Sequence, residues 1–494
     1  MLYAMASLPI LPGFHPDPSI CRVGDEFFLL NSSFEYVPGL PLHRSHDLVS
    51  WEPIGHAVAD AAIVAAPEGS AGASAGLYGP SLRHHGGRFW ATTTSLGHFL
   101  EGPLITHAEN AEGPWSAPVF VNGIMGIDPD LAWDDEGTCL LTWRSIRPSG
   151  ISQIDIDPVT GETFGEPRLL WGDDALGETE GPHLVRRGEW WYLVTAQGGT
   201  HTGHGVSVAR SRDPRGPFEP HPQNPIFSHR STNHPVQATG HADLVDLPDG
   251  SWAMVFLGIC PQGSFPRYHV LGRETFLAGV DWVDDWPVVV EDRFPSPPVA
   301  ADVIDTFDEL GMRWVSPSVA RESFARADGS LVLEQCREAG DHEQHRVLCT
   351  RVKHAEWKAT ATPESGDIAL SVRLDASHWF GVELVHGRVR ARAVSDPFDQ
   401  ILGERPLPDG ASLAIRARLI PPTVRGNRGP DRISLGFEAG GEFTALAEID
   451  GRYLSTELAG GFTGRMLGLE ALDASARVAR VTYTSHSSNE GEQQ

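Results

Sequence analysis

An internal repeat, recurring roughly every 50 to 60 residues, constrains this chain more than any other feature of its sequence. Five segments align. They are Pro18-Ser19-Ile20 with Gly24 and Phe27-Phe28, Pro80-Ser81-Leu82 with Gly86 and Phe89-Trp90, Pro129-Asp130-Leu131 with Gly137 and Leu140-Leu141, Pro182-His183-Leu184 with Gly188 and Trp190-Trp191, and Ala242-Asp243-Leu244 with Gly250 and Trp252. Each reads as a strand, a glycine-containing turn and a returning apolar strand. The period matches a four-stranded blade, and a lone hairpin cannot bury its apolar face, so the copies must stack into a propeller. A second element keeps the same step: Ser45 to Leu48 with Trp51, Ala108-Glu109 with Gly113-Pro114-Trp115, and Ser211 to Asp213 with Gly216-Pro217-Phe218. These are expected to be turns between outer strands.

The repeat stops after Trp286. A proline-rich stretch around Phe294 and Pro295 reads as a linker, and alternating segments such as 368–374, 389–393 and 413–419 then read as strands with one buried face. The expected fold is all-β, with a five-bladed β-propeller over residues 1–296 and a β-sandwich over 304–487. The tail Ser488 to Gln494 is polar and expected to fray.

Composition narrows the partners. A formal charge of -27 over 494 residues repels phosphate backbones and anionic lipid, so neither nucleic acid nor a membrane surface is expected. A neutral small molecule remains open, as does a homo-oligomer. Cys21, Cys139, Cys260, Cys336 and Cys349 form no CxxC pair and are expected to be reduced. Met1 to Pro12 lacks the pattern of a secretory leader, so the expected address is cytoplasmic.

In a propeller the inner strand of every blade starts at the same end of the central channel, so equivalent positions of the repeats converge. The position just before the repeat holds Asp17, Tyr78-Gly79, Asp128, Glu180-Gly181 and Gly240-His241. Three carboxylates at one mouth repel each other and raise at least one pKa, which suits chemistry that needs a protonated acid beside an ionised base. Asp-Pro pairs also simply start turns. His241 fits a substrate contact, a buried ion or a core histidine equally. His84-His85 and His201 to His204 lack the companions of a metal site and read as solvated loops; no metal ligand is assigned.

The run from Gly13-Phe14-His15-Pro16-Asp17-Pro18, through Ile127-Asp128-Pro129, Thr179-Glu180-Gly181-Pro182-His183 and Gly240-His241-Ala242, to Leu271-Gly272-Arg273-Glu274-Thr275 resembles family 43 glycoside hydrolases. Asp305-Thr306-Phe307-Asp308 and Gly460 to Gly464 resemble the β-sandwich appended to this family's β-xylosidases, which implies that the sandwich over 304–487 is concanavalin-A-like. The resemblance implies an inverting, exo-acting hydrolase that releases terminal pentoses from xylo-oligosaccharides or arabinoxylan fragments. Asp17 would be the general base, Glu180 the general acid, and Asp128 the residue that keeps Glu180 protonated and oriented. Base and acid would stand roughly 6.5 to 9.5 Å apart, leaving room for a water. Arg273 and His241 would hold the terminal sugar's hydroxyls, Phe34 and Thr200 would line the pocket, and Phe462 would close it.

One departure stands out. Where relatives carry Trp-Ala-Pro-Asp, this chain has Tyr78-Gly79-Pro80-Ser81, which makes the face beneath the sugar smaller or more polar. β-Xylosidase is favoured, with α-L-arabinofuranosidase as the alternative. A non-catalytic carbohydrate-binding protein and a retaining fructosyl hydrolase on a similar scaffold are rival classes. No cofactor is required, and the channel leaves room for a structural Ca²⁺.

Overall fold

The computed structural model describes residues 8–64, 66, 72–172, 177–263, 266–335, 346–420 and 429–485. The first seven residues, Cys336 and the tail Ser488 to Gln494 lie outside the described residues. Among those described, the α-helices Ala61–Val64 and Thr456–Ala459 are one turn each, and strands dominate. The chain divides into two compact units: residues 1–68, 75–260 and 273–298 form the first, and 69–74, 261–272 and 299–494 the second.

The first unit contains five four-stranded antiparallel sheets that follow one another in sequence. Their inner strands are Ser19–Val23, Ser81–His85, Gly126–Trp133, Glu180–Arg187 and Gln237–Asp246. Apolar residues fill each space between neighbouring sheets. Phe28 and Leu30 meet Leu82 and Ala91; Trp90 and Ile105 meet Leu131 and Leu141; Leu140 and Ile151 meet Leu184 and Leu193. Val194 and Val208 meet Leu244 and Phe256. The ring closes where Val245, Val255 and Leu277 of the fifth sheet pack on Ile20, Phe27 and Leu29 of the first. The residues ahead of the first sheet reinforce that closure, since the Ile10 N–H donates to the Thr275 carbonyl at 2.8 Å. This is propeller architecture, in which radial repetition of the sheets leaves only short, protected inner edges along the channel.

The hairpin turns sit where the repeat places them. Gly24, Gly137 and Gly250 have φ of 63°, 82° and 85°, a left-handed conformation that a Cβ would strain. Ser45 caps the outer turn that follows it, accepting from the Leu48 N–H at 2.9 Å.

The second unit is a sandwich of an eight-stranded and a six-stranded sheet. Alternation explains its core: Trp357, Ala359 and Ala361 of Trp357–Ser365 are fully buried, as are Leu413, Ile415 and Ala417 of Ser412–Leu419. Ile368–Arg373 lies within the six-stranded sheet. The buried Arg465 guanidinium is satisfied by Asp431 Oδ1 at 3.0 Å and the Gly451 carbonyl at 2.7 Å. Residues 261–272, which the sequence reading assigned to the propeller, fall in this unit, and the Val270 carbonyl accepts from the Arg465 N–H at 3.0 Å.

Candidate active site

The inner strands of the first unit break their regular pairing at the end where they begin. Register shifts fall between Ile127 and Asp130, between Glu180 and His183, and between Gly240 and Asp243. Asp17, Asp128, Gly181 and His241, each directly ahead of the repeat, all take left-handed φ, from 46° to 54°. For a non-glycine residue this costs of order 1–3 kcal/mol and recurs at functional sites. A bulge re-aims the side chain that an ordinary strand would turn elsewhere.

The re-aimed side chains meet. A Cβ on Gly79, the matching residue of the second copy, would lie 2.6 Å from Asp128 Oδ1 and 2.8 Å from His241 Cε1, so only glycine fits between them. The Gly181 N–H donates to Asp128 Oδ2 at 3.1 Å, and the position a Gly181 Cβ would take is 3.0 Å from His241 Nε2. His241 Nδ1 is 3.4 Å from Asp17 Oδ1, and His204 Nε2 is 3.9 Å from Glu180 Oε1. Three carboxylates from the first, third and fourth repeats thus share one mouth.

Their environments separate them. Burial pushes Asp17 up, but Arg273, His241 and the Ser32 hydroxyl, which donates to Oδ2, outweigh it and hold this carboxyl below its ordinary value. Arg273 Nη1 lies 2.9 Å from Asp17 Oδ1 and 3.2 Å from Thr200 Oγ1. The turn carrying Asp17 is pinned from behind: the His15 N–H donates to the Arg273 carbonyl at 3.1 Å, and Asn31 Nδ2 donates to the Pro16 carbonyl at 2.9 Å. Glu180, 23% exposed, is pushed to about 7 by burial and the Asp17 charge, with Arg273 and Arg144 pulling the other way. Asp128 is raised well above the ordinary range by burial, then by Glu180 and Asp17. One group is thereby ionised near neutrality and its neighbour protonated, the division an acid–base pair requires.

Beneath the mouth lies a second tier. Ser19, Ser81, Asp130, His183 and Asp243 occupy one equivalent position in the five copies. Asp130 and Asp243 are fully buried, and Arg83 bridges them at 2.7 Å each. Asp243 Oδ2 also accepts from Ser19 Oγ at 2.8 Å and the Ile20 N–H at 3.1 Å, and Asp130 Oδ2 accepts from the Leu184 N–H at 2.7 Å. Calcium needs six to eight oxygen ligands. The two channel carboxylates are already held by a guanidinium and by donors, so this set does not fit Ca²⁺.

The other residues singled out from sequence are distributed as follows. Phe34 is buried beneath Arg273, whose guanidinium carbon is 5.7 Å from the ring centre, and Tyr78 packs edge-on against Phe34 at 5.3 Å. Burial raises the Tyr78 phenol, and Asp128 and Asp17 add to it while Arg273 opposes. Thr200 sits beside Arg273, as noted. Phe462 belongs to the second unit, where it is 37% exposed and its N–H donates to Ser74 Oγ at 2.8 Å.

Two readings are corrected. His204 is not solvated: it is 1% exposed, its Nδ1 lies 3.2 Å from the Ala238 carbonyl, and burial pushes its pKa down to about 3. His84 and His85 lie on Ser81–His85 rather than in a loop, with His85 stacked on Trp133 at 4.4 Å. Ser32, Arg144 and Arg83 were not singled out from sequence, although each acts on the acids or the tier beneath them.

Comparison with known proteins places the chain in a family. Residues 6–287 match the profile of Glycosyl hydrolases family 43, and residues 304–485 match the Beta xylosidase C-terminal Concanavalin A-like domain. The xylosidase/arabinosidase 43B of Humicola insolens is 32% identical across 96% of either chain. The non-reducing end alpha-L-arabinofuranosidase of Bacteroides ovatus is 40% identical over 66% of this chain, a match that spans 64% of that enzyme's length. A solved Bacteroides ovatus structure, Xyloglucan PUL GH43B, superposes with a TM-score of 0.85 at 32% identity, covering 97% of this chain and 99% of that one. With the family profile spanning more than half its length and a relative aligned almost end to end, the chain belongs to glycosyl hydrolase family 43 and is a glycoside hydrolase.

Proposed function

We propose that the protein is an inverting, exo-acting pentosidase that releases terminal xylose from short xylo-oligosaccharides. The observation that carries this reading is the split between Asp17, held low, and Glu180, raised to about 7, at one channel mouth. Asp17 takes a proton from a water whose oxygen forms the new bond to the anomeric carbon. Glu180 donates its proton to the glycosidic oxygen as the old bond breaks, so one water is consumed and both products leave neutral. Asp128 accepts from the Gly181 N–H and is itself raised by burial and by Glu180 and Asp17, so the two interacting carboxyls resist ionising together and Glu180 keeps its proton. Arg273 serves as partner of Asp17 as well as hydroxyl ligand, and His241, buried with its pKa lowered to about 4, meets the sugar as a neutral imidazole.

A second reading, α-L-arabinofuranosidase, is favoured by the name of the Bacteroides ovatus relative and by Tyr78 in place of the larger tryptophan. Parallel kinetics on aryl β-xylosides and aryl α-L-arabinofuranosides separate the two. A kcat/KM at least about tenfold higher on the xyloside, worth about 1.4 kcal/mol, supports the first reading, and the reverse ratio supports the second. Activity on neither overturns both.

The reading extends to the setting. Cys21, Cys139 and Cys349 are buried free thiols, which supports a reducing, cytoplasmic compartment. The charge of -27 supports neutral saccharides rather than nucleic acid as partners. No helix among the described residues is long and apolar enough to cross a membrane.

A further inference from the structure

Away from the channel, His229, His234 and Glu291 bring three ligand atoms within 4.8 Å of one another. His229 and His234 lie on the loop that leads into the fifth inner strand, Gln237–Asp246, and Glu291 follows directly after the outer strand of the same sheet, Trp286–Val290. We propose that these three residues form a Zn²⁺ site that fastens this loop to the edge of its own sheet. The inference is independent of the catalytic assignment.

The geometry is that of imidazoles prepared for a metal. Nδ1 of His229 lies 2.9 Å from the Val236 carbonyl and Nδ1 of His234 lies 3.1 Å from the same oxygen. A metal-bound imidazole characteristically donates its other N–H to a carbonyl, which fixes the tautomer and leaves Nε2 for the ion. His234 Nδ1 is also 3.2 Å from the Val236 N–H, and metal on Nε2 selects the carbonyl contact. His229 Nε2 is 2.8 Å from Glu291 Oε2, so the third ligand is already in place. The two rings stand 3.8 Å apart, a distance at which two imidazolium charges repel and a shared dication does not.

The loop is built to hold them. The Thr232 hydroxyl donates to the His229 carbonyl at 2.6 Å, and the His234 N–H donates to the Thr232 hydroxyl at 3.2 Å. Gln237 Nε2 donates to the His234 carbonyl at 2.7 Å. Bonds of about 2.0–2.1 Å in a tetrahedron place ligand atoms about 3.3 Å apart, so closure asks for movements of no more than about 1.5 Å. Two imidazoles and one carboxylate suit zinc, with a water as the fourth ligand. Binding displaces the proton between His229 and Glu291, so affinity should fall as pH falls.

The test is zinc titration of the full chain, stripped of metal, by isothermal calorimetry with metal analysis after dialysis. One equivalent per chain is expected, with a zinc-dependent rise in Tm. His234→Ala changes a partly exposed side chain and should abolish that equivalent, or weaken it about 100-fold, and the Tm rise should vanish. Glu291→Gln keeps the shape and should weaken binding in the same direction. Absence of stoichiometric zinc in the unaltered chain, or the same stoichiometry and affinity in both variants, would overturn the proposal and leave His229 and Glu291 as an ion pair.

Discussion

Arg273 Nη1 stands 2.9 Å from Asp17 Oδ1, and this contact divides the labour among the three acids. Arg273 holds Asp17 ionised, and the resulting negative charge in turn helps to raise Glu180. The charged base therefore contributes to keeping the acid protonated.

The first consequence is a bell-shaped pH profile of kcat/KM. Activity needs Asp17 ionised, so the acidic limb should lie below the ordinary aspartate range. It also needs Glu180 protonated, so activity should fall as pH rises through about 7. Because Asp128 and Glu180 interact, the alkaline limb reports the pair rather than either group. Arg144 pulls Glu180 down, so Arg144→Met should move that limb to higher pH, and Asp128→Asn, which removes the second carboxyl of the interacting pair, should shift it too. Rate measurements from pH 3 to 9 check all three, and limbs unmoved in both variants would refute the assigned charges.

Leaving groups separate the two catalytic carboxylates. Asp17→Ala should lower kcat about 100- to 10,000-fold on every substrate. Glu180→Ala should cost as much on alkyl or saccharide leaving groups but far less on an activated aryl glycoside whose leaving group needs no proton. Equal losses for Glu180→Ala on good and poor leaving groups would remove it as the acid.

Gly79 tests the convergence of the repeats. The methyl group of Gly79→Ala would press on Asp128 Oδ1 and His241 Cε1. Displacing these by even about 1 Å should lower kcat about 100-fold, with stability reduced by about 1–3 kcal/mol. Kinetics alongside urea unfolding check this; full activity would mean that the five positions do not crowd one mouth.

Arg83 is expected to act on stability. Arg83→Met leaves Asp130 and Asp243 as buried, unpaired charges and should cost about 3–5 kcal/mol of unfolding free energy. Neutralising both in the triple variant with Asp130→Asn and Asp243→Asn should recover part of it. Added Ca²⁺ should change neither Tm nor activity of the unaltered chain, and a calcium-dependent rise in both would show that Arg83 does not replace the ion.

Much of this was legible in the sequence because the repeat itself fixes position. Five hairpins in step place Asp17, Asp128 and Glu180 together, and strand alternation exposes the sandwich core at Trp357, Ala359 and Ala361. A further signal was present but unused. At the third place after Pro80 the chain has Arg83, whereas the other copies have Cys21, Ala132, Val185 and Val245. One arginine in an apolar column, two places after the column holding Asp130 and Asp243 and so on the same strand face, marks a buried counter-charge. His204 gave no such signal. It sits on a loop outside the hairpin repeat, and only the folded chain brings it 3.9 Å from Glu180. His229, His234 and Glu291 were hidden for the same reason, since a loop and a distant strand end share no period.

The placement of Asp17 as base and Glu180 as acid, with a water between them, is tested most directly by the configuration of the first product. Proton NMR of an aryl β-xyloside digest, recorded before mutarotation, should show α-xylose appearing first. Initial release of β-xylose would contradict it, because retention requires one of these carboxylates to bond to the sugar.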